Sequence, residues 1–196
     1  MKKIGITGGI GSGKTTVCRI FERLGYSVYY ADERAKWLMV NDESLINDVK
    51  RLFGENAYLS NGALNRAYIG SLVFNDKALL AKLNAIVHPR TKADALQWFK
   101  TQSQQSEKPF ALKEAAILYE SGSYKGVDAV IEVYAPKSIR LERVMKRDNA
   151  SAETILARMD KQWPDSKKIR LADFTIFNDG QHSLIKQVLA ATTYFS

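Results

Sequence analysis

A chain of 196 residues with 45% hydrophobic and 26% charged side chains suits one soluble α/β domain with room for a helical insertion. No apolar run approaches the roughly 18 residues that cross a bilayer, the first residues form a strand rather than a leader, and the lone Cys18 forms no internal disulfide, so a reducing cytoplasm and no membrane are expected. The net charge of +8 admits nucleic acid or small polyanions; with no basic block and no RNA-binding aromatic motif, phosphorylated small molecules are the expected partners.

The alternating run Ile4, Ile6 predicts a first strand that enters Gly8-Gly9-Ile10-Gly11-Ser12-Gly13-Lys14-Thr15-Thr16. Gly8, four residues, then Gly13, Lys14 and Thr15 fill every fixed position of the phosphate-loop pattern. Glycines let successive backbone N–H groups face an anion, and the next helix aims its positive end at the same point. Lys14 supplies a mobile cation and the Thr15 hydroxyl a Mg²⁺ ligand. Val17, Ile20, Phe21 and Leu24 then predict a helix over 14–24.

Ser27 to Tyr30 predicts the second strand. Asp32 follows it, either as a functional carboxylate at a strand's carboxyl end or as the N-cap of a helix over 33–39, two compatible roles. From residue 42 to about 105 the pattern is helical, with stripes at Leu45, Ile46, Val49 and Leu52-Phe53 and at Leu79, Leu80, Leu83, Ile86 and Val87. His88-Pro89-Arg90 is expected to interrupt the second stripe. So long a block between strands predicts an inserted helical subdomain, a second wall for a substrate pocket.

Phe110 to Leu118 predicts the third strand and Val127 to Val133 the fourth, with Pro136 opening the next helix. Arg140, Arg143 and Arg147 fall on one stripe of that helix, a solvated face or a phosphate clamp. Ser151 caps a helix expected to run through Trp163, and Arg158 and Gln162 lie on this helix pair, a mobile lid. Ala172 to Phe177 predicts the fifth strand, Asn178-Asp179-Gly180 a tight turn, and Leu184 to about Ala191 a last helix with Ile185, Val188 and Leu189 inward.

These motifs in this order resemble the dephospho-coenzyme A kinase family over nearly the whole chain. The matching stretches include the phosphate loop, Ala31-Asp32, Phe53-Gly54, Gly62 to Arg66, His88-Pro89, Ile117-Leu118-Tyr119-Glu120, Arg143, Arg147-Asp148, Arg158 with Gln162, and Asn178-Asp179-Gly180. The resemblance implies a P-loop kinase fold of three layers, with a parallel five-stranded sheet in 2-3-1-4-5 order, a helical coenzyme A-binding insertion and a lid. The corresponding limits are a nucleotide-binding core over 1–40, 106–139 and 172–196, a substrate subdomain over 41–105 and a lid over 140–171. It implies γ-phosphoryl transfer from ATP, with Mg²⁺, to the ribose 3′-hydroxyl of dephospho-coenzyme A.

On this resemblance Asp32, Lys14, Arg140 and Arg143 are expected to be catalytic. Gly9, Gly11, Ser12, Gly13, Lys14, Thr15, Thr16, Arg147, Asn178 and Gly180 are expected to hold the nucleotide, Thr15 the metal, and Asp32, Arg66 and His88 the acceptor. The family's usual Asp-Ala-Asp is Tyr30-Ala31-Asp32 here, and its Pro-Leu-Leu is Ala116-Ile117-Leu118. The alternatives are another small-molecule kinase, of nucleoside monophosphate, shikimate or gluconate type, and a nucleotide-switched binding module. Against the second, this sequence carries no Asn-Lys-x-Asp guanine motif and no Asp-x-x-Gly switch after a strand. Monomer and homo-oligomer are both open.

Overall fold

The computed structural model describes residues 1–74 and 76–196 and divides into two compact units, one of residues 1–30 with 101–196 and one of residues 31–100. The first unit holds a parallel sheet of β1 (Lys2–Thr7), β2 (Val28–Tyr30), β3 (Phe110–Glu114), β4 (Ala129–Tyr134) and β5 (Phe174–Phe177), in the order β2-β3-β1-β4-β5. This is the expected 2-3-1-4-5 arrangement. Register places Thr7 beside Glu132 and Ile6 beside Glu114, so the loop that follows β1 leaves from the middle of the sheet.

Alternation along the central strands fixes which helices cover which face. Ile4, Ile6, Phe110, Leu112, Ile131, Val133 and Ile176 form one core with Val17, Cys18 and Phe21 of α1 (Lys14–Arg23). Tyr26 stacks on Phe110 at 4.3 Å between ring centroids and extends that core. The opposite face presents Gly5, Val130 and Glu132, against which the short helix Asp165–Leu171 packs.

The second unit contains α2 (Ala31–Asn41), α3 (Glu43–Phe53), α4 (Arg66–Phe74) and most of α5 (Lys77–Gln105). It begins at Ala31 rather than at residue 41, because Leu38 of α2 joins Leu45, Val49, Phe53, Ala57, Ile69 and Val87 in one apolar cluster. Asp42 caps α3 by accepting from Leu45 N–H at 3.0 Å. Arg34 of α2 grips Asp94 of α5 through two bonds of 2.6 and 3.0 Å, and Tyr58 donates to Met39 O at 2.7 Å.

Several local expectations are corrected. α5 runs unbroken through Pro89, since the buried stripe Val87, Thr91, Ala95 and Phe99 outweighs the one hydrogen bond that proline cannot donate. β3 stops at Glu114, and Ala115 to Leu118 is a turn rather than more strand, with Ala115 and Leu118 buried and Ile117 exposed. The helix expected through Trp163 ends earlier: after α6 (Lys137–Asp148), α7 spans Ala152–Met159 and Pro164 starts a separate α8 (Asp165–Leu171). The last helix, α9, extends over Leu184–Phe195, and this length turns Val188, Ala191 and Phe195 inward while Ile185 and Leu189 are exposed. Among the described residues, no helix is long and apolar enough to cross a membrane.

Candidate active site at the phosphate loop

The loop between β1 and α1 takes a shape that only glycine permits at two places. Gly13 sits at φ 93° just before α1, and a Cβ there would run into the side-chain amide of Asn178. A Cβ at Gly9 would overlap the guanidinium of Arg140. No side chain caps α1, so its first amides face the loop's interior, the geometry of an anion site. Lys14 bends back over the loop, donating to Gly8 O at 3.1 Å and Gly9 O at 3.5 Å. Thr15 and Thr16 are exposed at the helix start.

Elements far away in the chain hold this loop in place. Asn178, at the end of β5, donates to Ser12 O at 2.8 Å. Its own carbonyl oxygens receive Arg143 Nη2 at 3.2 and 3.5 Å. Gln162, between α7 and α8, accepts from Ile10 N–H and donates to Ala116 O, both at 2.8 Å. Beside it the Trp163 N–H donates to Glu120 Oε1 at 2.7 Å, its ring stacks on Tyr119, and Lys167 Nζ lies 3.3 Å from its centroid.

The arginine stripe fans from core to solvent rather than lying on one face. Arg140 is buried, with Nε on Ala135 O at 3.0 Å, Nη1 on Ile10 O at 3.4 Å and Nη2 on Asp165 Oδ2 at 2.6 Å. Arg143 is half-buried, and its Nη1 has no partner among the described residues; the same is true of the buried Ser12 hydroxyl. Arg147 is exposed and shares Asp148 with Arg158, at 2.7 and 2.8 Å. Those two guanidinium groups, Arg147 first, hold the Asp148 carboxyl down at about 2.

The structure therefore brings Gly9, Gly11, Ser12, Gly13, Lys14, Thr15, Thr16, Arg140, Arg143 and Asn178 to one loop. Gly180 lies in the turn beyond β5, at φ 85°, where Asp179 accepts from the N–H groups of Gln181 and His182. Asp32, Arg66 and His88 are exposed positions of the helical unit. Asp32 is the second residue of α2, inside the first turn and so not its N-cap. Arg66 opens α4, and His88 lies on α5, the helix tied to α2 by Arg34 and Asp94.

Tyr30 is neutral: burial above all, then nearby negative charge including Glu22, which accepts its hydroxyl hydrogen bond, pushes the phenol up. It supplies no carboxylate where the resemblance has one. The roles of Gln162, Asp165 and Glu120 were missed by sequence reasoning. Gln162 and Glu120 stood out only within the stretches that carry the resemblance, and the local signal for the buried charges was a glutamate inside the apolar run Val130-Ile131-Glu132-Val133.

The donor set fits a nucleotide triphosphate. Loop amides, Lys14, the unpartnered Ser12 hydroxyl and Arg143 Nη1 all favour an anion. A hard oxygen from Thr15 suits Mg²⁺, which keeps most of its shell as water and phosphate oxygen.

A profile of the family described as dephospho-CoA kinase matches residues 2–183. A dephospho-CoA kinase of Bacteroides fragilis is 40% identical over 187 residues, 95% of this chain and 89% of the relative. Among solved structures, TT1252 from Thermus thermophilus superposes with a TM-score of 0.84 at 33% identity, covering 98% of this chain and 96% of its own. The dephospho-CoA kinase from Campylobacter jejuni follows with a TM-score of 0.73 at 27% identity, covering 99% and 96%.

Proposed function

The chain belongs to the dephospho-CoA kinase family, and on that premise we propose that it transfers the γ-phosphoryl group of ATP to the ribose 3′-hydroxyl of dephospho-CoA, yielding CoA and ADP. The observation that carries this reading is the family match across residues 2–183, on a chain whose phosphate loop is intact in sequence and in geometry.

Phosphoryl transfer asks a protein for placement and charge neutralisation more than for covalent help. In the proposed division of labour, loop amides between Gly9 and Thr16 hold the phosphates and Lys14 swings from its loop carbonyls to span β and γ. Thr15 holds Mg²⁺, which when bound neutralises charge on the phosphate oxygens. Tyr30, neutral and bonded to Glu22, adds nothing to that shell.

Arg143, with its unpartnered Nη1, meets the transferring charge, and Arg147 contacts the nucleotide from the exposed side. Arg140 is enclosed by protein acceptors, which supports a role in holding the loop rather than touching phosphate. Asn178 works the same way through Ser12 O. Asp32 accepts the hydrogen bond of the ribose hydroxyl and orients it in line; an ordinary carboxylate is a weak base, so orientation is its larger part. Arg66 and His88 contact the acceptor's phosphates or pantetheine arm. The loop and sheet alone also suit kinases of other small alcohols. Purified protein with ATP and Mg²⁺ is therefore offered dephospho-CoA, nucleoside monophosphates and shikimate in parallel, and ADP release is read. Release with dephospho-CoA is expected; turnover only on another acceptor ends this reading.

A further inference from the structure

Behind the phosphate loop lies a row of four charges that the reaction, as assigned above, does not use. Arg140 Nη2 meets Asp165 Oδ2 at 2.6 Å. Lys168 Nζ stands 3.5 Å from Asp165 Oδ1 and 3.4 Å from Glu132 Oε1. Glu132 is 0% exposed, Lys168 1% and Arg140 5%. Among the described residues Lys168 Nζ and both Glu132 oxygens have no hydrogen-bond partner, so the ammonium acts as a point charge between two carboxylates. Burial pushes the Glu132 carboxyl up to about 7 against the pull of Lys168.

Such a row is a poor way to gain stability. Desolvating buried ions costs several kcal/mol each, and apolar replacements of a buried pair are often neutral or stabilising. What the row does offer is placement. Its free end is Arg140 Nη1 on Ile10 O, while Gln162 from the same α7–α8 connection takes Ile10 N–H. The tip of the phosphate loop is thus gripped on both sides by groups whose positions α8 sets.

We propose that Asp165 is a positioning residue for phosphoryl transfer, acting through Arg140 on the loop tip, with Lys168 and Glu132 as the buried counter-charges that keep Asp165 aimed at Arg140. This rests on the kinase reading. It predicts that loop geometry and fold stability separate when the row is altered.

The test uses the full chain. D165N lowers kcat with dephospho-CoA about tenfold while the KM for dephospho-CoA stays within about twofold. In an R140A background D165N adds less than about twofold, because the path to the loop is already cut. E132L/K168M, which swaps the buried pair for apolar groups, keeps or raises Tm yet lowers kcat at least about threefold. Equal losses from D165N in both backgrounds, or wild-type turnover in E132L/K168M, overturns the proposal. So does a Tm that falls in step with activity. If R140A does not fold, as judged by circular dichroism, the E132L/K168M result decides alone. The affinity of each variant for a fluorescent ATP analogue is measured without acceptor. A wild-type chain that binds the analogue but releases no ADP with dephospho-CoA ends the acceptor reading only; in that case weaker analogue binding by D165N than by wild type supports the positioning role, and unchanged binding refutes it.

Discussion

The two units of this protein are built on opposite principles. The helical unit is held mainly by apolar packing, with a cluster running from Leu38 to Val87 assembled from helices whose stripes are periodic and near in sequence. The phosphate loop is held by polar bonds whose partners lie far along the chain: Asn178 to Ser12, Gln162 to Ile10, Arg140 to Ile10. Apolar packing tolerates small shifts, because dispersion is non-directional and spread over many atoms. A hydrogen bond to one carbonyl does not. Tolerance thus belongs to the helical unit and rigidity to the phosphate loop.

Damage to the two units should therefore look different. Lys14→Ala removes a contact made in ground and transition states, so kcat falls about 10³-fold and ATP affinity weakens, seen by ADP release and nucleotide titration. Leu45→Ala, at a fully buried site of the apolar cluster, costs about 3 kcal/mol of stability in thermal or urea unfolding. Its ATP affinity stays at the wild-type value, and a matching loss there would erase the contrast drawn above. Asp32→Asn lowers turnover about 10²-fold with ATP affinity within about twofold. Retained turnover would leave Asp32 as an acidic residue of a helix's first turn and nothing more.

Asn178→Ala strips Ser12 O of its donor and costs about 1 kcal/mol, read as a fall of a few degrees in Tm with ATP binding about fivefold weaker. The smallest effect concerns pH. The Glu132 carboxyl is raised in the folded chain from 4.5 to about 7, so the folded state binds more protons than the unfolded state between those values. Its contribution is complete below pH about 4.5 and is lost as pH rises through about 7. Stability of the wild type should decline more steeply over that window than that of E132L/K168M, measured by urea unfolding at stepped pH.

What the sequence made visible followed the same division. The phosphate loop and the apolar stripes of α3 and α5 could be read because each lies within a short window of residues, whereas the strand order came only with the family resemblance. Pro89 misled because a local rule about one missing N–H was set against packing along a helix of 29 residues. The phase of α9 was misjudged because its end was placed at Ala191, and only a helix reaching Phe195 shows that Val188, Ala191 and Phe195 make the buried face. Gln162 and Arg140 were both singled out in the sequence, but nothing there showed that they grip the loop tip. Gln162, Asp165 and Lys168 are ordinary polar residues until the fold carries them 152 positions back to Ile10 or sets them beside Glu132. Arg140 was noticed as part of a stripe, but a stripe records spacing and not which member is enclosed.

Trp163 has a practical consequence. The chain has three tryptophans, and Trp37 and Trp98 both belong to the helical unit. Trp163 is the remaining indole, stacked on Tyr119 and covered by Lys167, one residue from the glutamine that holds Ile10. Replacing Trp37 and Trp98 by phenylalanine would leave an enzyme with a single tryptophan, beside its phosphate loop, selectively excited at wavelengths that tyrosine does not absorb. Its fluorescence could then be followed on a stopped-flow instrument, timing what the loop's surroundings do as nucleotide arrives and leaves, with no dye attached.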